Sequence, residues 1–378
     1  MRTSRVLLTA ALAAATSLVT AVGGAPPTAN ASVRASTGYT YTTMYAGTPD
    51  RTILACAQNN LGQVAVASSA RTAPGGRWQT TRVRTDGSSV TPIAGPVNGL
   101  GSVILGLAIN DAGQVALGTY ARRASGEIDK IVLGDGGPVR VVARAGPGEV
   151  FSALGSLSLN AQGRVAFFGG TPDSVGIYTG NGVGPLVTRY VNTDAADYFG
   201  LIGVPILNAA GQIAFEEHNA DGVYSIYRSE PGGSVTRLYR SPQPSVSLGS
   251  MNRAGRVGYD TTRVARLPRA IYTVRGGAST LVASSADGFT ALFGGYLNDV
   301  GHVVFYATKT AGAILGLWTG ATPSFTPVVQ PGDIINGREL YYVGGICART
   351  MLNNAGQVAF MATYRDGTTA VVWADPVP

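Results

Sequence analysis

The 378-residue sequence predicts an all-β fold, a seven-bladed β-propeller with four strands per blade, its last blade closed by the N-terminal strand. Three observations lead there. A unit of about 49 residues recurs seven times. Each copy reads as four short strands, without the sustained 3.6-residue apolar period of a helix. The strands that follow the repeated turn are apolar on both faces, as strands buried between two neighbouring sheets must be.

The repeat is anchored on Asn-x-x-Gly followed by a short apolar run. The copies start at Asn59, Asn110, Asn160, Asn208, Asn252, Asn298 and Asn353, and the runs include QVAVA, QVALG, RVAFF and QIAFE. The turn glycines are Gly62, Gly113, Gly163, Gly211, Gly255, Gly301 and Gly356, spaced 51, 50, 48, 44, 46 and 55 residues apart. Asn at the first turn position bonds backbone two residues on, and Gly at the fourth tolerates positive φ, so each copy predicts a tight β-hairpin. In the third copy SLSLN enters the turn and RVAFFGG leaves it; VGIYTG, a Gly-rich turn and PLVTRYV complete four strands.

Three residues after each turn glycine the side chain is small in most copies: Ala65, Ala116, Ala166, Ala214, Gly258 and Ala359, with Val304 the exception. Its neighbours are larger, as in Val165 and Phe167 or Val358 and Phe360. Successive residues in a strand face opposite sides, so one face carries small groups and the other large ones. Such sheets stack radially, which agrees with a charged fraction of 13% against roughly 25% in an average soluble domain. A β-solenoid would need a shorter repeat, and an open stack would need polar caps.

The seventh unit lacks a fourth strand after TAVVWAD. Residues 39–45, YTYTTMY, alternate in strand fashion ahead of the first unit and are expected to supply it. Blades one and seven then meet at the closure, where the two cysteines of the chain lie. Cys56 and Cys347 stand three and six residues before their Asn. Opposite parity sends them to opposite faces of their sheets, and facing surfaces of adjacent blades are opposite faces. A Cys56–Cys347 disulfide is therefore expected, with two buried free thiols as the alternative.

Residues 1–31 read as a signal peptide. Arg2 and Arg5 precede an apolar stretch from Val6 to Val22, and Ala29-Asn30-Ala31 gives a small-x-small cleavage pattern before Ser32. The expectation is a secreted, extracellular protein whose residues 32–378 form one propeller domain, a monomer free of the membrane after cleavage. Of the 28 basic residues only Lys130 and Lys309 are lysine, and the arginines are scattered. Nucleic acid is not an expected partner, because its recognition needs a clustered basic surface.

The unit LNxxGQVAFxA followed by GIYxG is clearest at Leu352–Ala362, Leu207–Phe215 and Leu159–Phe167. It resembles secreted bacterial tandem-repeat proteins and is similar to HAF-repeat extracellular proteins, with Ala-Phe where their INxxGxVVG core has Val-Gly. The resemblance spans residues 39–378. It implies secretion and a repeat fold and carries no catalytic residue across.

No nucleophile elbow, HExxH, P-loop, EF-hand loop or sialidase box is present, so no catalytic residue, metal site or cofactor is assigned. His302 fills a position held by Gln or Arg in the other copies and reads as a polar residue opening its strand. Trp318, Trp373, Tyr178, Tyr227 and Tyr272 recur at matching third-strand positions and are expected to fill the space between blades. One cluster breaks the repeat. Glu216, Glu217 and His218 end the second strand of unit four, and Asp260 and Arg263 lie at the corresponding end of unit five, where other copies carry Phe168, Tyr306, Met361 and Gly118. A local violation of the repeat marks a candidate ligand-binding rim, with solvated rim residues as the plainer reading. The expected function is a binding or scaffold propeller for a glycan, cell-envelope or protein ligand. The alternative is an extracellular hydrolase or lyase acting on a polysaccharide in the central channel.

Overall fold

The structure is a computed structural model that describes residues 38–377 apart from 72–77, 95–102, 124–125, 193–200, 219–222, 242–245, 262–268, 345 and 348–349. The segment expected to be a signal peptide lies outside the described residues.

The described chain forms seven sheets in sequence order around a ring, five of four antiparallel strands and two extended to five, in blade 7 by Ile334–Ile335 and in blade 1 by Ile346–Cys347. Blade 4 shows the plan: Leu201–Leu207 innermost, then Ile213–His218, Tyr224–Ser229 and Val235–Arg240 outward. Its hairpin starts as expected at Asn208. Asn208 N–H donates to Gln212 O at 3.0 Å, Gly211 N–H returns to Asn208 O at 3.0 Å, and Gly211 has φ of 78°. All seven repeat glycines take positive φ, between 73° and 96°, a conformation that residues with a Cβ adopt only with strain. Among the described residues the helical element is one 3-10 turn, Ser285–Asp287.

The core lies between blades. Phe215, Ile213 and Leu207 of blade 4 pack on Ala166 and Ile177 of blade 3. The small-residue column is a steric requirement: a Cβ on Gly258 of blade 5 would collide with the Gly295 carbonyl of blade 6. The recurrent third-strand aromatics flank this core. Tyr178, Tyr227 and Tyr272 stack on their cross-strand partners Phe167, Phe215 and Tyr259 at 6.0, 5.6 and 5.3 Å.

The turn asparagines also join the blades, a role that local turn chemistry does not reveal. Each is buried. Asn59 Nδ2 donates to Asn110 O at 3.0 Å, Asn110 to Asn160 O at 3.1 Å, and Asn160 to Asn208 O at 3.4 Å. Asn208 donates to Asn252 O at 3.0 Å, Asn252 to Asn298 O at 3.4 Å, and Asn298 to Asn353 O at 2.9 Å. Between blades 7 and 1 the link is made otherwise: Gln58 Nε2 donates to Met351 O at 2.6 Å and Gln357 O at 2.9 Å.

Tyr39–Ala46 completes blade 7, pairing antiparallel with Thr369–Pro376 from Tyr39↔Pro376 to Ala46↔Ala370. The innermost strand of this blade departs from the simple plan. Arg338–Val343 pairs with the end of Val358–Tyr364, Ile346–Cys347 then pairs in parallel with Ala55–Cys56 of blade 1, and the chain returns to its own sheet at Leu352↔Val358. The 55-residue interval, the longest in the repeat, supplies the length for this excursion. The Cys56–Cys347 disulfide is present, with Cα atoms 4.2 Å apart, inside the usual bridging limit of about 7 Å. It joins two strands edge to edge, and not across facing sheet surfaces as parity alone suggested, because the inner strand of blade 7 leaves its own sheet at that point.

Candidate functional site

Strand alternation decides where Glu216, Glu217 and His218 go. Consecutive side chains leave opposite faces, so the three do not gather at one rim. Glu216 turns toward blade 5, is 2% exposed, and accepts a hydrogen bond from Leu248 N–H. Asp260 turns toward blade 6, is 3% exposed, and its Oδ2 accepts from Gly294 N–H at 2.8 Å. Asp129 does the same from blade 2 to blade 3, accepting from Leu154 N–H at 3.2 Å. In each case the acceptor meets the next blade's innermost strand where its ladder is interrupted: Leu248/Met251, Phe293/Tyr296 and Leu154/Leu157. An irregularity leaves a backbone N–H without its ladder partner, and a buried N–H must find another. The two repeat-breaking carboxylates thus have a structural occupation. His218 lies half-exposed with its ring 4.5 Å from that of Tyr224. Arg263 lies outside the described residues.

Glu217 faces blade 3. Its Oε1 accepts from Tyr190 OH at 2.6 Å and from Asn192 Nδ2 at 3.4 Å. Burial, and then the bonded Glu217 carboxylate, raise the Tyr190 phenol well above its ordinary pKa, so Tyr190 is a firm donor. Beside them opens a cleft of about 250 Å³ lined by Glu217, Val223, Ser225, Tyr227, Arg237 and Arg240. These residues share a face because Glu217 pairs with Ser225 and Ser225 with Arg240, while Tyr227 pairs with Arg237. The two arginines are three residues apart, so a regular strand would send them to opposite faces. A register shift opposite Ile226/Tyr227 brings them together. That is why the sequence did not single them out: both are legible in TRLYR, but the bulge is not.

A second cleft, about 260 Å³, lies on blade 6 and includes Lys309, Trp318 and Gln330. Its lysine is occupied, with Nζ 5.0 Å from the Phe289 ring centroid and 5.4 Å from that of Trp318. Among the described residues no group of three or more His, Cys, Asp or Glu is placed to hold a metal ion.

Seven sheets, each built on a four-stranded blade and arranged in sequence order, with Tyr39–Ala46 and Thr369–Pro376 paired in one blade, define a β-propeller. The chain belongs to DUF7453, a family of unknown function whose sequence profile matches residues 58–372. No curated protein matches the sequence significantly. Among solved structures it is similar to the β-propeller domain of the Trilobed protease from Pyrococcus furiosus, with a TM-score of 0.60 and 11% identity over 88% of this chain and 94% of that one. That domain is described as having an open velcro topology; here Tyr39–Ala46 closes the last blade. The chain is also similar to Pyrococcus horikoshii acylaminoacyl peptidase, with a TM-score of 0.54 and 11% identity over 88% of this chain and 52% of that one. A third likeness is to virginiamycin B lyase from Staphylococcus aureus, with a TM-score of 0.50 and 13% identity over 88% of this chain and 99% of that one. At these identities the likeness establishes the fold alone, and propellers carry many unrelated activities.

Proposed function

We propose that this chain is an exported binding propeller that engages an extracellular glycan, cell-envelope or protein ligand through the cleft beside Glu217. The observation that carries this reading is the cleft itself, a concave site on a rigid blade with convergent polar groups. Export is supported by the n-region, apolar stretch and Ala29-Asn30-Ala31 pattern at the N-terminus, by the disulfide, and by the resemblance to secreted repeat proteins. Among the described residues no helix is long and apolar enough to cross a membrane.

The test is a glycan-array and polysaccharide-turnover screen on the exported protein, with its N-terminus sequenced. The expected result is saturable binding without product formation and a chain that starts at Ser32. Release of shortened polysaccharide would replace the binding reading with the hydrolase or lyase alternative. A retained Met1 would overturn cleavage.

A further inference from the structure

We propose that the cleft on blade 4 holds an acidic sugar unit, its carboxylate on Arg237 and Arg240 and a neighbouring hydroxyl on Glu217. This inference rests on the binding reading above and names the ligand chemistry.

The donors are free. Arg237 and Arg240 are exposed, and the ion pairs among the described residues are Arg228–Glu230, Arg338–Asp366 and Arg365–Glu339. A guanidinium offers five N–H donors and no acceptor, in a planar fork that matches a carboxylate. Two of them on one cleft wall call for an anionic, acceptor-rich group.

The acceptor is half free. Tyr190 and Asn192 both bond Oε1 of Glu217, and Oε2 has no hydrogen-bond partner among the described residues. An ionised carboxylate accepts only, so Oε2 calls for a ligand O–H. It also repels a bare phosphate or sulfate ion lodged against it. An acidic peptide offers the carboxylate without an adjacent hydroxyl. A uronate-type sugar carries both on one ring. The Tyr227 ring, held by its stack on Phe215 at 5.6 Å, gives that ring an apolar wall, and the Ser225 hydroxyl adds a polar contact. The volume of about 250 Å³ falls below the roughly 300–1,000 Å³ of drug-sized sites and suits a single sugar unit of a longer chain.

The experiment is calorimetric titration of the exported protein with oligogalacturonate, alginate and hyaluronan oligomers. Neutral oligosaccharides of equal length and a tri-aspartate peptide are run alongside. At least one acidic oligomer should bind, about tenfold or more tighter than its neutral counterpart, and lose affinity with added salt because the contact is ionic. Arg237→Ala and Arg240→Ala should each weaken it about 10- to 100-fold, the range for a hydrogen bond to a charged group, with unchanged melting temperature. Glu217→Gln should weaken it less, since the amide nitrogen in place of Oε2 can still donate to the sugar hydroxyl oxygen. Equal affinity for acidic and neutral sugars, or unaltered affinity in both arginine variants, would overturn the acidic-sugar assignment and leave the binding reading standing. Tighter binding of the peptide would overturn it in favour of a protein ligand. Failure of every glycan and peptide to bind would sink both.

Discussion

Glu216 and Glu217 are adjacent in sequence and have opposite fates in the molecule. Glu216 is sealed between blades 4 and 5 against the Leu248 N–H, whereas Glu217 stands at an open cleft beside Tyr190. Burial makes the first a stability residue. Glu216→Ala removes the acceptor and strands a buried N–H, which costs about 1–3 kcal/mol. Glu217→Gln preserves an acceptor for Tyr190 and should stay within about 0.5 kcal/mol of the parent, as substitutions away from buried networks do. Urea unfolding of the two variants measures the contrast, and equal losses would remove the distinction. The sequence did show that Glu216 and Asp260 break the repeat. It could not show that the break compensates an interrupted ladder in the next blade, because that N–H belongs to a strand more than 30 residues away.

A hairpin turn was legible in every repeat, since Asn and Gly act there through their own backbone. Its second function was not, since Asn208 Nδ2 bonds a carbonyl 44 residues on. Asn208 Oδ1 meanwhile caps Gln212 N–H at 2.9 Å. Asn208→Ala loses these two bonds and the Nδ2 donation to Gln212 Oε1 at 2.8 Å, and should cost about 3 kcal/mol, at about 1 kcal/mol for each. Chemical denaturation reads the loss; a change within error of zero would mean that water replaces the ladder. The outer strand of blade 4 shows the converse limit. Its residues and approximate extent follow from the pattern, but its bulge, and hence the shared face of Arg237 and Arg240, depends on register against Tyr224–Ser229. Register shifts are set by pairing and not by composition.

Closure belongs to the whole molecule. Tyr39–Ala46 and Thr369–Pro376 meet across almost the entire described chain, and ordering so long a loop carries an entropic cost that grows with the logarithm of its length. The disulfide acts at the same seam, with a sequence separation of 291 residues. In the chain-entropy picture a loop of that length contributes up to about 5 kcal/mol. Reduction, or the Cys56→Ser/Cys347→Ser double variant, should therefore lower the stability and melting temperature of the exported protein, with the loss felt first where blades 7 and 1 join. Calorimetry with and without reductant checks this, and coincident melting curves would refute it.

The sequence by itself determined the all-β class, the count of seven, the position of each hairpin and the source of the closing strand. These follow from period and turn chemistry, which act over a few residues and then repeat. Only the tertiary structure decided the Asn bonds between blades, the route of the last inner strand to the disulfide, and the separation of the acidic cluster into buried carboxylates and one open cleft. Those features depend on which backbone groups a bulge leaves unpaired and on which neighbouring blade stands opposite them, and a local pattern carries neither.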